Sequence, residues 1–221
     1  MNKKYLNVKL YIWLLFPMLS LIFIFFPQID LFIASLFYDG KSFPMNGTWI
    51  EKLFYYSVRP LMIILILSTL AIFIYNYFKK KNILNINSKV ILYLTLVLSI
   101  APVLIVNTTL KENWGRARPA QIVNFGGKKE FTPAFIKSDQ GGFSFSSGHT
   151  AAAFSLLGFA LLAKRRQKFF ISLVLLYGTL VSLARMAAGG HFLSDVVTSF
   201  FIVYIATHLF YRLVFKKEST Y

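Results

Sequence analysis

Six long blocks of apolar residues without any Asp, Glu, Lys or Arg dominate this chain of 221 residues. They cover residues 10–26, 60–78, 90–110, 149–163, 169–184 and 196–211. A helix needs about 20 mostly apolar residues to cross a bilayer, with roughly 17 as the lower limit. The first three blocks reach this limit alone, and the last three reach it with their polar flanks. We predict an all-α, polytopic membrane protein with six transmembrane helices, in a single domain over residues 1–221. No small-residue cleavage site follows the first block, so we expect a retained helix there.

The basic residues are distributed unevenly around these blocks. The net charge is +16, and 14 of the 24 Lys and Arg lie in 1–9, 79–89, 164–168 and 212–221, with one acid. Lys and Arg beside spans stay in the cytoplasm, so both termini are predicted to be cytoplasmic. This surface suits anionic lipids and implies no nucleic acid partner. The chain has no cysteine, which excludes disulfide and thiolate chemistry.

Two long segments then fall on the non-cytoplasmic side, at about 27–59 and 111–148. The first holds the runs IDLFIASLFY and WIEKLFYYSV, which are too short or too charged to span. Their aromatic content favours pieces lying at the membrane surface, with plain connecting loop as the alternative. The second is rich in Gly, Ser, Pro and Lys without a strong period, which is typical of a functional or disordered loop.

Ionisable residues at the non-cytoplasmic span ends form the candidate site: Lys111, Arg118, His149, Arg185, His191 and Asp195. Charges at membrane depth are costly and usually functional, although a single Lys or Arg can simply snorkel to the headgroups. On a helix, His191 and Asp195 would share one face, roughly 6 Å apart along the axis. A carboxylate there can hold one imidazole N–H and leave the other nitrogen free to attack. A purely structural contact is the alternative.

The string Ser146-Ser147-Gly148-His149 directly precedes the fourth block. Hydroxyls, a glycine and free N–H groups at a helix start form an anion site, although they also serve as simple caps. Three cations, Lys111, Arg118 and Arg185, lie at the same predicted membrane level. They suit a phosphoryl group, whose transition-state charge spreads over three oxygens.

Carboxylates are scarce near these residues. Two-metal phosphatases need several clustered carboxylates, and only Glu112 and Asp195 fall near the site. The chain also lacks a G-x-x-x-x-G-K nucleotide loop. We infer a metal-independent phosphatase without cofactor, which works through a covalent phosphohistidine.

The three motifs resemble the type 2 phosphatidic acid phosphatase superfamily, whose patterns are K-x6-R-P, P-S-G-H and S-R-x5-H-x3-D. They read here Lys111-ENWGRA-Arg118-Pro119, Ser146-Ser147-Gly148-His149 and Ala184-Arg185-MAAGG-His191-FLS-Asp195. Ser146 replaces the usual proline and Ala184 the usual serine. Neither change removes a group that handles a proton or a phosphate charge, so activity is expected to survive.

The resemblance implies a role for each matched residue. His191 would be the nucleophile, oriented by Asp195, and His149 the general acid that protonates the leaving oxygen. The phosphate oxygens would be bound by the remaining motif residues, Lys111, Arg118, Arg185, Ser147 and the N–H of Gly148.

The segments Trp114-GRARP and Phe125-GGKKEFTP, ending in FSFSSGH, are similar to the bacterial lipid A 4′-phosphatase branch. That branch implies a phosphorylated lipid substrate at the periplasmic face of the inner membrane. Lys128, Lys129 and Lys137 would meet further anionic groups of such a headgroup, or are plain loop charges near anionic lipid. The motifs serve undecaprenyl pyrophosphate and phosphatidylglycerophosphate phosphatases equally well. An anion transporter or channel is disfavoured, because transporter sites lie near the midplane. The sequence does not indicate an oligomeric state.

Overall fold

The fold is mainly helical, as the apolar blocks predict. A computed structural model describes residues 4–215. A hairpin of two short strands, β1 Lys4–Tyr5 and β2 Val8–Lys9, precedes the helices. The helices are α1 Leu10–Phe25, α2 Gln28–Ser35, α3 Trp49–Lys79, α4 Ser88–Trp114, α5 Gly148–Leu162, α6 Gln167–Ala187 and α7 Leu193–Phe215. Short 3-10 turns occupy Ile83–Asn85, Pro119–Gln121 and Val123–Phe125.

Each apolar block lies in a helix, but the helices differ in their ability to cross a bilayer. Four of them, α3, α4, α6 and α7, are long and apolar enough to span. The α1–α2 pair is bent by 86° and adds a fifth candidate if it forms one broken span. The sixth block corresponds to α7, whereas the fourth, α5, is apolar but shorter than the others. Within the described residues the structure therefore supports four to five spans, and six stays a prediction.

The central helix of the bundle is α7, which packs against α1, α4 and α5. Half of its most apolar window, 50%, is buried inside the protein, against 11% for α3. The outward face of α3 exposes large aliphatic side chains such as Ile64 and Leu67. An apolar face of this length suits lipid tails, since the backbone groups are already bonded within the helix.

Small residues bring the inner helices close together. Ala151 on α5 and Ala206 on α7 share a buried cluster with Ala101 on α4. A Cβ at Gly178 on α6 would lie 2.5 Å from the Phe154 ring on α5. Small side chains at such contacts allow close packing of membrane helices.

One prediction for segment 27–59 is wrong. The run WIEKLFYYSV is not a separate surface piece, because it forms the first turns of α3 and continues into the second apolar block. Thr48 caps this helix by accepting the N–H of Glu51 at 3.3 Å. The charge of Glu51 suggested a break, but an ion pair with Arg185 compensates for its burial. The other run forms α2, and the chain bends at Pro27 just before it.

The last turns of α4 are wider than an α-helix. Residues Ile100–Lys111 are π-helical and include Pro102. The side-chain amide of Asn107 donates to the carbonyl of Pro102, five residues earlier, at 2.8 Å. Such widened turns are frequent at functional sites, and this one ends at Lys111.

The two long loops pack on each other through aromatic rings. Tyr38 and Phe43 of the first loop contact Phe125 of the second, with ring centroids 5.2 and 5.5 Å from it, respectively. Phe192, just before α7, belongs to the same buried cluster. Segment 111–148 is thus an ordered layer over the helix ends rather than a disordered loop.

Candidate active site

A glycine turn sets the geometry of the first motif. Gly115 follows the end of α4 with φ +73°, and a Cβ there would lie 1.9 Å from the carbonyl oxygen of Ser138. Both the left-handed backbone and this close approach require glycine. The chain reverses here, and the backbone of Arg116 then receives the N–H of Ser144 at 3.0 Å. The turn therefore brings the first motif beside the loop segment that leads to the second motif.

His191 lies in the connector between α6 and α7, and its side chain is buried. Its Nδ1 is 2.8 Å from the carbonyl oxygen of Ser144. A carbonyl only accepts, so Nδ1 carries the proton in this contact. The lone pair of the neutral ring is consequently on Nε2, which is the atom that can attack.

The contact between His191 and Asp195 differs from the one expected of an i, i+4 pair. His191 precedes the first residue of α7, so the two residues do not share a helix face. The distance from Nδ1 to Oδ2 of Asp195 is 3.6 Å, which is longer than a hydrogen bond. Ser144 connects them instead: its carbonyl accepts from His191 and its hydroxyl donates to Asp195 at 2.6 Å.

Burial lowers the pKa of His191 from its ordinary value, and the neighbouring Asp195 opposes this shift. The neutral imidazole is therefore the resting form at neutral pH. A neutral ring with its proton on Nδ1 is the form that a nucleophilic histidine needs.

Asp195 is fully buried in the first turn of α7 and is held by three donors. Besides the Ser144 hydroxyl, its Oδ2 accepts the backbone N–H of Phe192 at 2.8 Å. Its Oδ1 accepts from Nη1 of Arg116 at 2.6 Å. The carboxylate thus fixes the loop that carries His191 to the loop that carries Arg116.

Arg116 is a residue that the motif patterns do not single out. Its side chain is fully buried, and its Nη2 bonds to Asp30 at 2.8 Å while Nη1 bonds to Asp195. Nε donates to the carbonyl of Thr132 at 2.8 Å. The guanidinium also lies 4.3 Å from the centre of the Phe192 ring. A planar fork with this many donors is what bridges two carboxylates, and lysine does not offer it.

His149 lies in the first turn of α5 beside a tyrosine of α3. The ring centroids of His149 and Tyr55 are 4.1 Å apart. The guanidinium of Arg185 is 4.8 Å from the centre of the same tyrosine ring. Tyr55 therefore contacts both the predicted general acid and one predicted phosphate ligand.

Arg185 contacts the loop of the predicted nucleophile. A Cβ at Gly190 would lie 2.5 Å from its Nη2, so the glycine before His191 makes room for the guanidinium. Nη1 pairs with the carboxylate of Glu51 on α3. The buried Nε has no hydrogen-bond partner among residues 4–215, which leaves a donor for an anionic ligand.

Lys111 and Arg118 are half-buried and belong to the same electrostatic group. His149 interacts with Arg185, His191, Lys111 and Arg118. Burial and the charge of Arg185 lower the pKa of Arg118 from its ordinary value. The charges of Lys111, Arg118 and Arg185 repel one another, and an anion bound between them would offset that repulsion. The structure thus brings these predicted site residues together.

Ser147 and Gly148 begin α5 next to α4. The Ser147 hydroxyl accepts the N–H of Thr150 at 3.5 Å, so it caps the helix. A Cβ at Gly148 would lie 2.4 Å from Oδ1 of Asn107, one turn before Lys111. The glycine therefore lets the start of α5 approach the end of α4.

The buried carboxylates near this site, Asp30, Asp195 and Glu51, pair with arginines. Within residues 4–215 no three His, Asp or Glu side chains come together as a metal site would require. The metal independence inferred from the sequence stays a prediction.

Several residues that contact the predicted site lie outside the motif positions. Asp30 and Glu51 come from segment 27–59, and each pairs with an arginine of the site region. The sequence signal that could have identified them is the acidic residue itself, because it stands within a run that is otherwise aromatic and apolar. Ser144 and Tyr55 gave no such signal.

Comparison with known proteins covers all three motifs. Residues 92–219 match the family model of the PAP2 superfamily. The chain is 35% identical over 211 residues to a lipid A 4′-phosphatase of Francisella tularensis subsp. novicida (strain U112), which covers 89% of this chain and 91% of that protein.

Two shorter alignments are to proteins with the same name. Proteins of the same name from Rhizobium leguminosarum and Rhizobium etli are 38% and 37% identical over 103 and 102 residues. These alignments cover 45% of this chain and 44% and 40% of the two proteins. No solved structure matches the chain.

Proposed function

The chain belongs to the PAP2 superfamily and is a membrane lipid phosphatase, and we propose that it removes the 4′-phosphate of lipid A. The observation that carries this substrate is the extent of the likeness to the Francisella protein, 89% of this chain. Shared motifs alone would not carry it, because they serve many lipid phosphates. The likeness also includes the loops over the site, where a headgroup would be recognised.

The proposed reaction has two steps. Nε2 of His191 attacks phosphorus and the bond from phosphorus to the sugar oxygen breaks. His149, protonated while the anionic phosphate is bound beside it, gives its proton to that oxygen. His191 then carries the phosphoryl group. Water attacks the phosphorus, His149 takes the water proton, and inorganic phosphate leaves with the His191 ring restored.

The surrounding groups stabilise charge in both steps. Lys111, Arg118 and Arg185 bind the three equatorial oxygens, over which the transition-state charge is spread. The hydroxyl of Ser147 and the N–H of Gly148 add donors at the helix start. The unpaired Nε of Arg185 supports this assignment.

A panel of lipids tests the substrate. Purified protein in detergent with EDTA should release phosphate from lipid A that carries only the 4′-phosphate, and not from lipid A that carries only the 1-phosphate. Polyprenyl pyrophosphate and phosphatidylglycerophosphate should be poor substrates. Release from either of these but not from lipid A would contradict the proposal, and inhibition by EDTA would contradict metal independence.

We further propose six spans in a bacterial inner membrane, with both termini in the cytoplasm and the site facing the periplasm. The uneven distribution of Lys and Arg supports this orientation. In this arrangement α5 serves as the fourth span, and the neighbouring helices cover its short length.

An enzyme reporter tests the orientation. Fused after Tyr221, alkaline phosphatase should be inactive, because it works only in the periplasm. Green fluorescent protein at the same position should be fluorescent, because it folds in the cytoplasm. The same pair inserted at Asp39, in the first long loop, should give the opposite result. Periplasmic activity at Tyr221 would invert the proposed topology.

A further inference from the structure

Asp30 is a buried carboxylate outside all three motifs and outside the residues that match the family. It lies in the short helix α2, just after the 86° bend that separates α2 from α1. Its side chain is fully buried. Burying a charge is expensive unless it is paired and hydrogen-bonded, so a buried acid in a short surface helix needs a reason.

Three donors satisfy this carboxylate, and two of them come from the first turn of α7. Oδ1 accepts the backbone N–H of Ser194 at 2.9 Å, and Oδ2 accepts the Ser194 hydroxyl. Oδ2 also accepts from Nη2 of Arg116 at 2.8 Å. The first N–H groups of a helix have no partner within it, so Asp30 caps α7 from another part of the chain.

The residue after Ser194 is Asp195, which supports His191 through Ser144. Arg116 lies between the two carboxylates, with Nη1 on Asp195 and Nη2 on Asp30. If Arg116 faced Asp195 alone, the two charges would cancel. Burial raises the pKa of Asp30, and the charge of Arg116 opposes that shift. With both carboxylates ionised, Arg116 is shared between them, and the buried cluster carries one net negative charge behind His191.

That charge matters in the reaction proposed above. His191 starts as a neutral ring with a proton on Nδ1, and phosphorylation at Nε2 makes the ring cationic. A fixed anionic cluster behind the ring favours this change, because preorganised charge needs no rearrangement during the step.

We propose that Asp30 is a positioning residue of this phosphatase. It fixes the start of α7 and, by sharing Arg116, preserves the negative charge of Asp195 toward His191. It touches neither the substrate nor the reacting atoms. The inference rests on the proposed roles of His191 and Asp195.

The test is Asp30→Asn, which keeps the size of the side chain and removes its charge. With lipid A in detergent micelles, kcat should fall by roughly ten- to a hundredfold, the scale of displacing a reacting group by about 1 Å. KM should change little, because Lys111, Arg118 and Arg185 are untouched. The matched control is Asp39→Asn, an exposed acid of the same segment whose carboxylate only caps its own turn. Its kcat should equal that of the parent.

A double variant separates positioning from general damage. If Asp30 acts through Asp195, then Asp30→Asn in an Asp195→Asn background should lower kcat by less than about twofold further. Multiplied losses would overturn the proposal, as would an Asp30→Asn enzyme with the parent kcat.

Two further measurements keep the test decisive. Should Asp30→Asn not fold, Ser194→Ala removes one donor to Asp30 and the hydroxyl that accepts from Nη1 of Arg116 at 2.8 Å, and it leaves every charge. Its kcat should still fall several-fold, and an unchanged kcat would count against the proposal. Parent and His191→Ala are assayed in parallel. Equal activity of these two would refute the catalytic scheme, whereas an inactive His191→Ala beside a fully active Asp30→Asn would refute the role of Asp30 alone.

Discussion

Replacing His191 by alanine should lower phosphate release from lipid A by roughly four to six orders of magnitude, the scale of losing a catalytic nucleophile. The protein should still be recovered from the membrane, because the ring makes one hydrogen bond, to the Ser144 carbonyl. The measurement is phosphate release by purified protein, with melting in detergent as the check on folding.

The matched control is His208→Ala. His208 lies on α7 well beyond the first turn, where its ring packs on Tyr204 with centroids 4.2 Å apart. This variant should keep the parent activity. Trapping the intermediate adds a second readout. Parent enzyme that is denatured during turnover of lipid A with a radiolabelled phosphate should carry the label, and this label should be lost in acid and stable in alkali. Label retained in His191→Ala would refute the phosphohistidine.

Replacing Arg116 by methionine should have the largest effect on stability. The change leaves Asp30 and Asp195 buried without their shared cation, and breaking a buried ion pair costs about 3–5 kcal/mol. For a chain of this size that corresponds to a melting temperature lower by about 10 °C. Activity should fall as well, since the support of Asp195 is lost.

Arg116→Lys distinguishes charge from geometry. It keeps the cation but provides a single ammonium group, which does not reach both carboxylates and the Thr132 carbonyl as the fork does. We expect an intermediate loss of melting temperature. Arg165→Met, which removes an exposed arginine between α5 and α6, should melt like the parent. A parent-like melting temperature for Arg116→Met would show that the buried cluster does not stabilise the fold.

The motif residues could be predicted because their spacing is local. Lys111 and Arg118 are joined by one turn at Gly115, and Arg185, His191 and Asp195 flank one short connector. Their common position at helix ends followed from the apolar blocks alone. What the spacing did not show is the contact itself, in which Ser144 rather than Asp195 holds Nδ1 of His191.

The acids of segment 27–59 could not be assigned in this way. Asp30 and Arg116 are 86 residues apart, and Glu51 and Arg185 are 134 apart. No helical or strand period connects such positions. The charge of Glu51 instead suggested a surface piece, when it lies in the first turns of α3.

The sequence by itself indicated the helical class, the apolar blocks that suit a membrane and the residues predicted to handle phosphate. These follow from the cost of placing charges and unpaired backbone groups in lipid, which each segment meets independently. Only the tertiary structure decided which buried charges pair, because that depends on segments meeting that are remote along the chain. Arg116 is the clearest case, because it pairs with two carboxylates, Asp30 and Asp195, that only the fold brings next to it.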